Sequence, residues 1–408
     1  MFPFSLSSMV SPALCVGWLA QVVVVAAEPA PGYFGAKPGS LATAKARLAP
    51  GDKELTKALK NLVSDADEAL REVPPSVTEK KKIPPSGDPH DYMSLAPYFW
   101  PDPKSPGGRP YLRHDGKVNP ESRDPTANDG QRVKLMGETI ETLALAYYFT
   151  GKEAYAAHAA QFARVWFLVP ATRMNPSFQF AQAVLGKNEG RGTGILEGRY
   201  IALAADSLGL LAHSKSWPAT DQRALATWLG TYLDWLLTSD AGKDEHDARN
   251  NHGSFYDVQT ARLALVLGRN DLARRILEEA KQRRIAVQIE PDGKQPLELV
   301  RTTSFSYSRF NLEALCELAT LGEHVGVDLW RFATADGRSI RCALDYLVPY
   351  VDVPAKPWPL EQIKEKHEAE VLPILRQAAL AYSAPGYEAV IAKYPDTGSK
   401  RFRLLFVK

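Results

Sequence analysis

From Gln131 onward, hydrophobic residues recur at steps of three and four, the spacing that gives an amphipathic helix its buried stripe. Val133, Met136, Ile140, Leu143 and Tyr147 trace one stripe, and Leu225, Trp228, Leu229, Tyr232, Leu233 and Leu236 another. The same pattern predicts helices over about 152–168, 195–214, 256–268, 270–288, 308–322, 337–350 and 360–382. Short punctuation such as Gly151, Trp217-Pro218 and Gly268-Arg269-Asn270 separates them. No convincing run of alternating strand positions and no fixed-length repeat is present. The economical architecture is all-α, a barrel or toroid of (α/α) type built from helix hairpins, with loops gathered around a central groove.

The first 27 residues follow a different rule. Leu14 to Ala20 and Val22 to Ala27 are apolar, and Val25-Ala26-Ala27 before Glu28 offers the small residues a signal peptidase needs, although no Lys or Arg precedes the run. This predicts a signal peptide over 1–27 and one exported domain over 28–408, secreted or periplasmic, with no membrane attachment after cleavage. The remaining chain has no other stretch approaching a bilayer span. With 45% hydrophobic residues, 24% charged residues and a net charge of +2, it reads as globular with an ample core. Near-neutral charge with mixed signs argues against a nucleic-acid partner. Cys15 leaves with the signal, so Cys316 and Cys342 are the only possible disulfide pair, and the sequence leaves open whether they pair.

Against this helical background, polar and aromatic interruptions mark candidate chemistry. Arg249-Asn250-Asn251-His252-Gly253-Ser254-Phe255-Tyr256 sits between two amphipathic segments and would make a poor core; an ordinary helix N-cap is the alternative. About fifty residues on, Arg301-Thr302-Thr303-Ser304-Phe305-Ser306-Tyr307 again interrupts a helical pattern. Thr302, Thr303 and Phe305 favour an extended form, which would place Arg301 and Tyr307 on one face. Upstream, the stretch from Gly87 to Pro103 is dense in Pro, Tyr, Phe and Trp, and suits either a sugar-stacking wall or a structural loop. His90 and Tyr92 are its expected ligand-facing members. A polar, glycine-rich loop over 173–194 offers Asn175, Gln182 and Arg191 as hydrogen-bonding partners for hydroxyls or carboxylates.

Asn250-Asn251-His252, Arg301 with Tyr307, Asn175-Pro176 and Ala181-Gln182 together resemble the alginate lyase domain shared by polysaccharide lyase families 5 and 38. The resemblance runs from about His90 to Trp330. It implies an incomplete (α/α) barrel and an anionic polysaccharide substrate. The basic lid residues of family 5 are not evident, and the His90 loop is closer to the family 38 type, so polyuronate is the implied class rather than alginate alone.

β-Elimination on a 4-linked uronate sets three tasks. The C5 carboxylate must be neutralised, which suits Asn251 with Arg301. A base must take the C5 proton and an acid must protonate the departing O4. In mannuronate and glucuronate these groups share a face, so Tyr307 serves both steps, given a nearby cation to lower a phenol that titrates near 10. In guluronate they lie on opposite faces, and His252 would be the base. Asn250 and Tyr256 complete the expected binding set, and no cofactor or metal is expected because the histidines form no close ligand pair. Two alternatives stay open: a glycoside hydrolase drawing its acid and base from Glu189, Glu197, Asp206 and Glu298, and a glycan-binding protein without catalysis.

Overall fold

The computed structural model describes residues 32–395, 397 and 400–407; the expected signal peptide lies outside the described residues. Two helices that the sequence reading passed over, α1 (Ser40–Leu48) and α2 (Lys53–Ala69), begin the described fold. In α2 the buried positions Leu55, Ala58, Leu62, Ala66 and Ala69 keep the three- and four-residue spacing, and the Asp52 side chain caps its N-terminus. There follow α3 (Gly130–Thr150), α4 (Glu153–Ala163), α5 (Arg199–Leu208), α6 (Ala219–Thr238), α7 (Asp240–Asp247), α8 (Asn251–Val266) and α9 (Asn270–Ala280). Two short turns of helix, α10 (Ala286–Gln288) and α11 (Pro296–Leu299), lead to α12 (Ser304–Glu323), α13 (Ile340–Leu347), α14 (Leu372–Ala381), α15 (Pro385–Ala392) and α16 (Phe402–Leu405).

Helix α3 packs on α2, α4 and α5, then α5 on α8, and α8 on both α9 and α12. The inner and outer members of this arrangement differ in how much of their surface is covered. Helix α8 is buried from Gly253 to Leu265 without a break, whereas α9 buries only Ala273, Leu277 and Ala280. A helix covered all round belongs to the inside of a barrel, and a one-sided helix to its outer layer. The result is the expected (α/α) toroid. No helix among the described residues is long and apolar enough to cross a membrane.

Two features depart from the helical expectation. Met93–Leu95 pairs in parallel with Phe180–Ala183, joining the proline-rich stretch to the glycine-rich loop. Residues 360–371 also lack the predicted α-helix, since α14 starts at Leu372 and a short 3-10 turn precedes it. Cys316 and Cys342 are free thiols, the first buried and the second half-buried.

Candidate active site

Both marked interruptions open helices at one cleft. Asn250 caps α8, its side-chain oxygen accepting from the His252 N–H at 3.3 Å, so Asn251 and His252 occupy the first turn. Helix α12 starts at Ser304, which places Tyr307 in its first turn, with Arg301 in the bend before it. The extended segment expected over 301–307 is therefore replaced by a bend and a helix start, and it is the turn at Arg301 that brings the pair together. Pro97, Tyr98, Phe99, Gln182, Arg191, Asn250, Asn251, His252, Arg301 and Tyr307 all face a cleft of about 950 Å³.

Each of the adjacent residues at the start of α8 is clasped by a buried carboxylate. Glu298 accepts from the Asn251 backbone N–H and from its side-chain Nδ2, both at 2.7 Å. Burial pushes the Glu298 carboxyl above the usual range, while the two Asn251 donors hold it down. Glu245 lies 2.7 Å from His252 Nδ1, which leaves Nε2 as the ring atom available to a ligand. The turn carrying these residues is fastened from behind by Arg284. Its guanidinium donates to the carbonyls of His246 and Ala248 and pairs with buried Asp257 at 2.7 Å. Gly253 makes room for it: a Cβ there would stand 2.6 Å from Arg284 Nη1 and 2.1 Å from the Ala248 carbonyl.

On the other wall, Arg301 donates to the Tyr307 hydroxyl at 2.7 Å and its guanidinium lies 3.7 Å from the centre of the Tyr307 ring. Tyr307 in turn donates to the Tyr98 hydroxyl at 2.9 Å. The charge of Arg301 is already met by Asp115, which it grips through Nε and Nη2 at 2.6 to 3.1 Å. Burial opposes a charge on Asp115, but the bonds from Arg301 and Thr302 outweigh it and hold the carboxyl well below the usual range. Gly116 permits the close approach, with φ 71° and a hypothetical Cβ only 2.5 Å from the Thr302 hydroxyl. The expectation that Arg301 neutralises substrate is thus revised: it is committed to Asp115 and Tyr307. The Tyr307 phenol is pushed above its ordinary value by burial and by Tyr98, with Arg301 pulling the other way.

Among the expected binding residues, Gln182 and Arg191 meet at the cleft, Arg191 donating to the Gln182 side chain at 2.9 Å and lying 5.2 Å from the Phe99 ring centre. Gln182 holds a left-handed backbone (φ 49°), rare for a residue with a side chain. Four others do not reach the cleft lining. Tyr92 is fully buried and donates to Glu197, because a ring packed on Phe178 serves the core. His90 bonds the Arg173 carbonyl, and Asn175 ties Asp88 to Asp91, both stitching the loop away from the cleft. Tyr256 is buried and donates to the Leu236 carbonyl, being on the side of α8 that packs toward α6, α7 and α9. The aromatic stretch does build a wall, but through Tyr98 and Phe99. Tyr98 lies between Gly87 and Pro103, and nothing in its local pattern singles it out from Tyr92. Asp115, Glu245 and Glu298 carry no motif; only the folded chain pairs them with their partners. Of the carboxylates considered for a hydrolase, Glu197 is engaged by Tyr92, Ser94 and Gln182, Asp206 by the backbone N–H groups of Phe34 and Gly35, and Glu298 by Asn251, while Glu189 is exposed and does not line the cleft.

The family model for alginate lyase matches residues 76–358. The chain belongs to the alginate lyase family. It is accordingly a polysaccharide lyase, similar across its length to an alginate lyase from Bacteroides ovatus of known structure. The two are 39% identical over 92% of this chain and 99% of that one, with a TM-score of 0.87. Alginate lyase A1-III from Sphingomonas species A1 shares the fold at 17% identity, covering 93% of this chain and 97% of that one, with a TM-score of 0.60. A histidine-to-alanine variant of A1-III complexed with a tetrasaccharide aligns with a TM-score of 0.61 at 15% identity, over 94% of this chain and 98% of that one. No curated protein sequence matches the chain.

Proposed function

We propose that this lyase is an exported enzyme, residues 1–27 serving as its signal and 28–408 as one domain, that cleaves a 1,4-linked polyuronate such as alginate by β-elimination. The observation that carries the reading is Tyr307, its hydroxyl fixed by Arg301 on the wall of the cleft that also holds Asn251 and His252. The cleft suits an anionic polymer, because Arg191, Arg199 and Arg249 line it without a carboxylate partner among the described residues. Glycan-binding alone would not call for a phenol bonded to a guanidinium.

In this mechanism the remaining amide N–H of Asn251, with His252, takes the C5 carboxylate and stabilises the charge that spreads onto it as C5 loses its proton. The Tyr307 phenolate, favoured by Arg301, removes H5; the C4–C5 double bond forms as the C4–O4 bond breaks. The same hydroxyl then returns the proton to O4. That sequence is a syn elimination and selects mannuronate or glucuronate. A second reading rests on Glu245: with Nδ1 engaged there, His252 Nε2 is free to act as the base for an anti elimination of guluronate.

One assay separates these outcomes, following unsaturated products by ultraviolet absorbance on block-pure polymers. Tyr307→Phe should lower turnover by about a thousandfold or more with little change in KM, since the hydroxyl carries both proton transfers. More than about a tenth of wild-type turnover remaining would remove Tyr307 from this role. His252→Ala should impair every substrate; near wild-type rates on polymannuronate together with lost guluronate cleavage would instead favour the second reading.

A further inference from the structure

Between α13 and α14 the chain forms a strap that starts where the family match ends, at residue 358. The strap is laid across the N-terminus of α12. Ser304 donates its N–H and its hydroxyl to the Glu361 carbonyl at 3.1 and 2.6 Å, and Ile363 N–H donates to the Thr302 carbonyl at 2.9 Å. The Gln362 side chain accepts from the Phe305 N–H and donates to the Ser306 hydroxyl, both at 3.1 Å. These bonds occupy backbone groups that a helix start leaves open, and they pin the strap beside the turn bearing Tyr307.

Directly after this anchorage, Lys364, Glu365 and His367 line the cleft. Lys366, between them, turns away to the Tyr350 carbonyl at 2.9 Å and to Glu368 at 3.1 Å. Lys366 shows what a strap lysine does when it serves the fold. Lys364 is exposed and has no hydrogen-bond or carboxylate partner among the described residues, whereas Ile363 before it and Lys366 after it are held in place. An ammonium left unpaired on the wall of a substrate cleft is available to an incoming carboxylate, and a neighbouring carboxylate accepts sugar hydroxyls.

We propose that the strap is a uronate-binding subsite: Lys364 pairs with the carboxylate of the sugar next to the one that loses H5, and Glu365 accepts that sugar's hydroxyls. The inference rests on the polyuronate reading above. It assigns the strap to a residue of the polymer that undergoes no chemistry, since Asn251 and His252 serve the reacting carboxylate. Contacts to such a sugar are equally strong before and in the transition state, so their loss appears in KM and leaves kcat in place.

Steady-state kinetics on the polyuronate that the wild type cleaves best, at low salt, provide the test. Lys364→Ala should raise KM about three- to tenfold with kcat within about twofold of wild type. Lys364→Arg should recover most of the lost affinity, and Glu365→Gln should also raise KM. Unchanged thermal unfolding would show that the strap remains seated. An unaltered KM in Lys364→Ala, or a fall in kcat alone, overturns the assignment of Lys364. A lowered KM in Glu365→Gln shows that Glu365 merely repels the polymer and overturns its part. Wild-type enzyme that releases no unsaturated product from any polyuronate overturns the functional reading itself, a result distinct from both.

Discussion

Two neighbours pull the Tyr307 phenol in opposite directions. Burial raises it, Tyr98 raises it further by accepting its hydrogen bond and so favouring the protonated form, and Arg301 lowers it. If the phenolate is the base, kcat/KM must rise with pH along a limb set by this residue. Tyr98→Phe removes one raising influence, so that limb should move to lower pH, by about half a unit or more. Arg301→Gln removes the lowering one and should move it to higher pH. A pH profile of kcat/KM for the three proteins decides the matter, and a limb that ignores both changes would mean another group is the base. At this scale the sequence was informative where a residue acts through its own chemistry and silent where it acts through a distant partner. Asn251, His252, Arg301 and Tyr307 stand in polar interruptions of an apolar rhythm, and they were visible for that reason. Asp115 meets Arg301 across 186 residues of chain, and no spacing announces such a meeting.

Helix starts do most of the positioning. The first turn of α8 holds Asn251 and His252 because Arg284 draws the preceding carbonyls inward while its charge is balanced by Asp257, which burial pushes above the usual carboxylate range. Replacing Arg284 with Met would leave Asp257 buried without its partner. Such losses cost about 3–5 kcal/mol, so the variant should unfold at markedly lower denaturant concentration than wild type. Any folded fraction should also turn over slowly, because the α7–α8 turn loses its fastening. Denaturant titration followed by activity per folded molecule checks both parts. Element boundaries were legible where apolar spacing and tertiary structure agreed, as in α3 and α6. They failed over 360–371, where a charged, helix-compatible run spends its hydrogen bonds on the start of α12 instead. The pairing of Met93–Leu95 with Phe180–Ala183 was invisible for a related reason: strands this short have no alternation to read.

Across the whole molecule, the barrel interior carries charged groups whose titration bears on stability. Burial raises both Asp129 and Asp206 from the ordinary 3.8 to about 6, against the pull of Lys80 and Arg262. A carboxyl whose value is raised on folding favours the folded state below its unfolded value, and that benefit is lost as pH rises through the folded one. From these two groups, stability should decline between about pH 4 and pH 6 and level off above. His246 and His324, whose values burial lowers, act in the opposite sense over the same range, so thermal unfolding midpoints of wild type and Asp206→Asn compared across pH 4 to 8 isolate the buried acid; a difference between the two proteins that stays constant from pH 4 to pH 6 would contradict this account. The architecture itself was readable from apolar periodicity, because a toroid of helix hairpins repeats one simple pattern.

The dependence of Arg301 on Asp115 and of Tyr307 on Tyr98 bears on how such a site can be transplanted. Residues 249–307 carry the Asn, His, Arg and Tyr of the proposed chemistry in one continuous piece, which looks like a ready-made cassette. Grafted onto another helical scaffold without the stretch that carries Tyr98 and Asp115, that piece would arrive with its arginine uncountered and its phenol missing the hydroxyl it donates to. The proposed catalytic unit is the contact between two remote stretches, and it has to be moved as a pair.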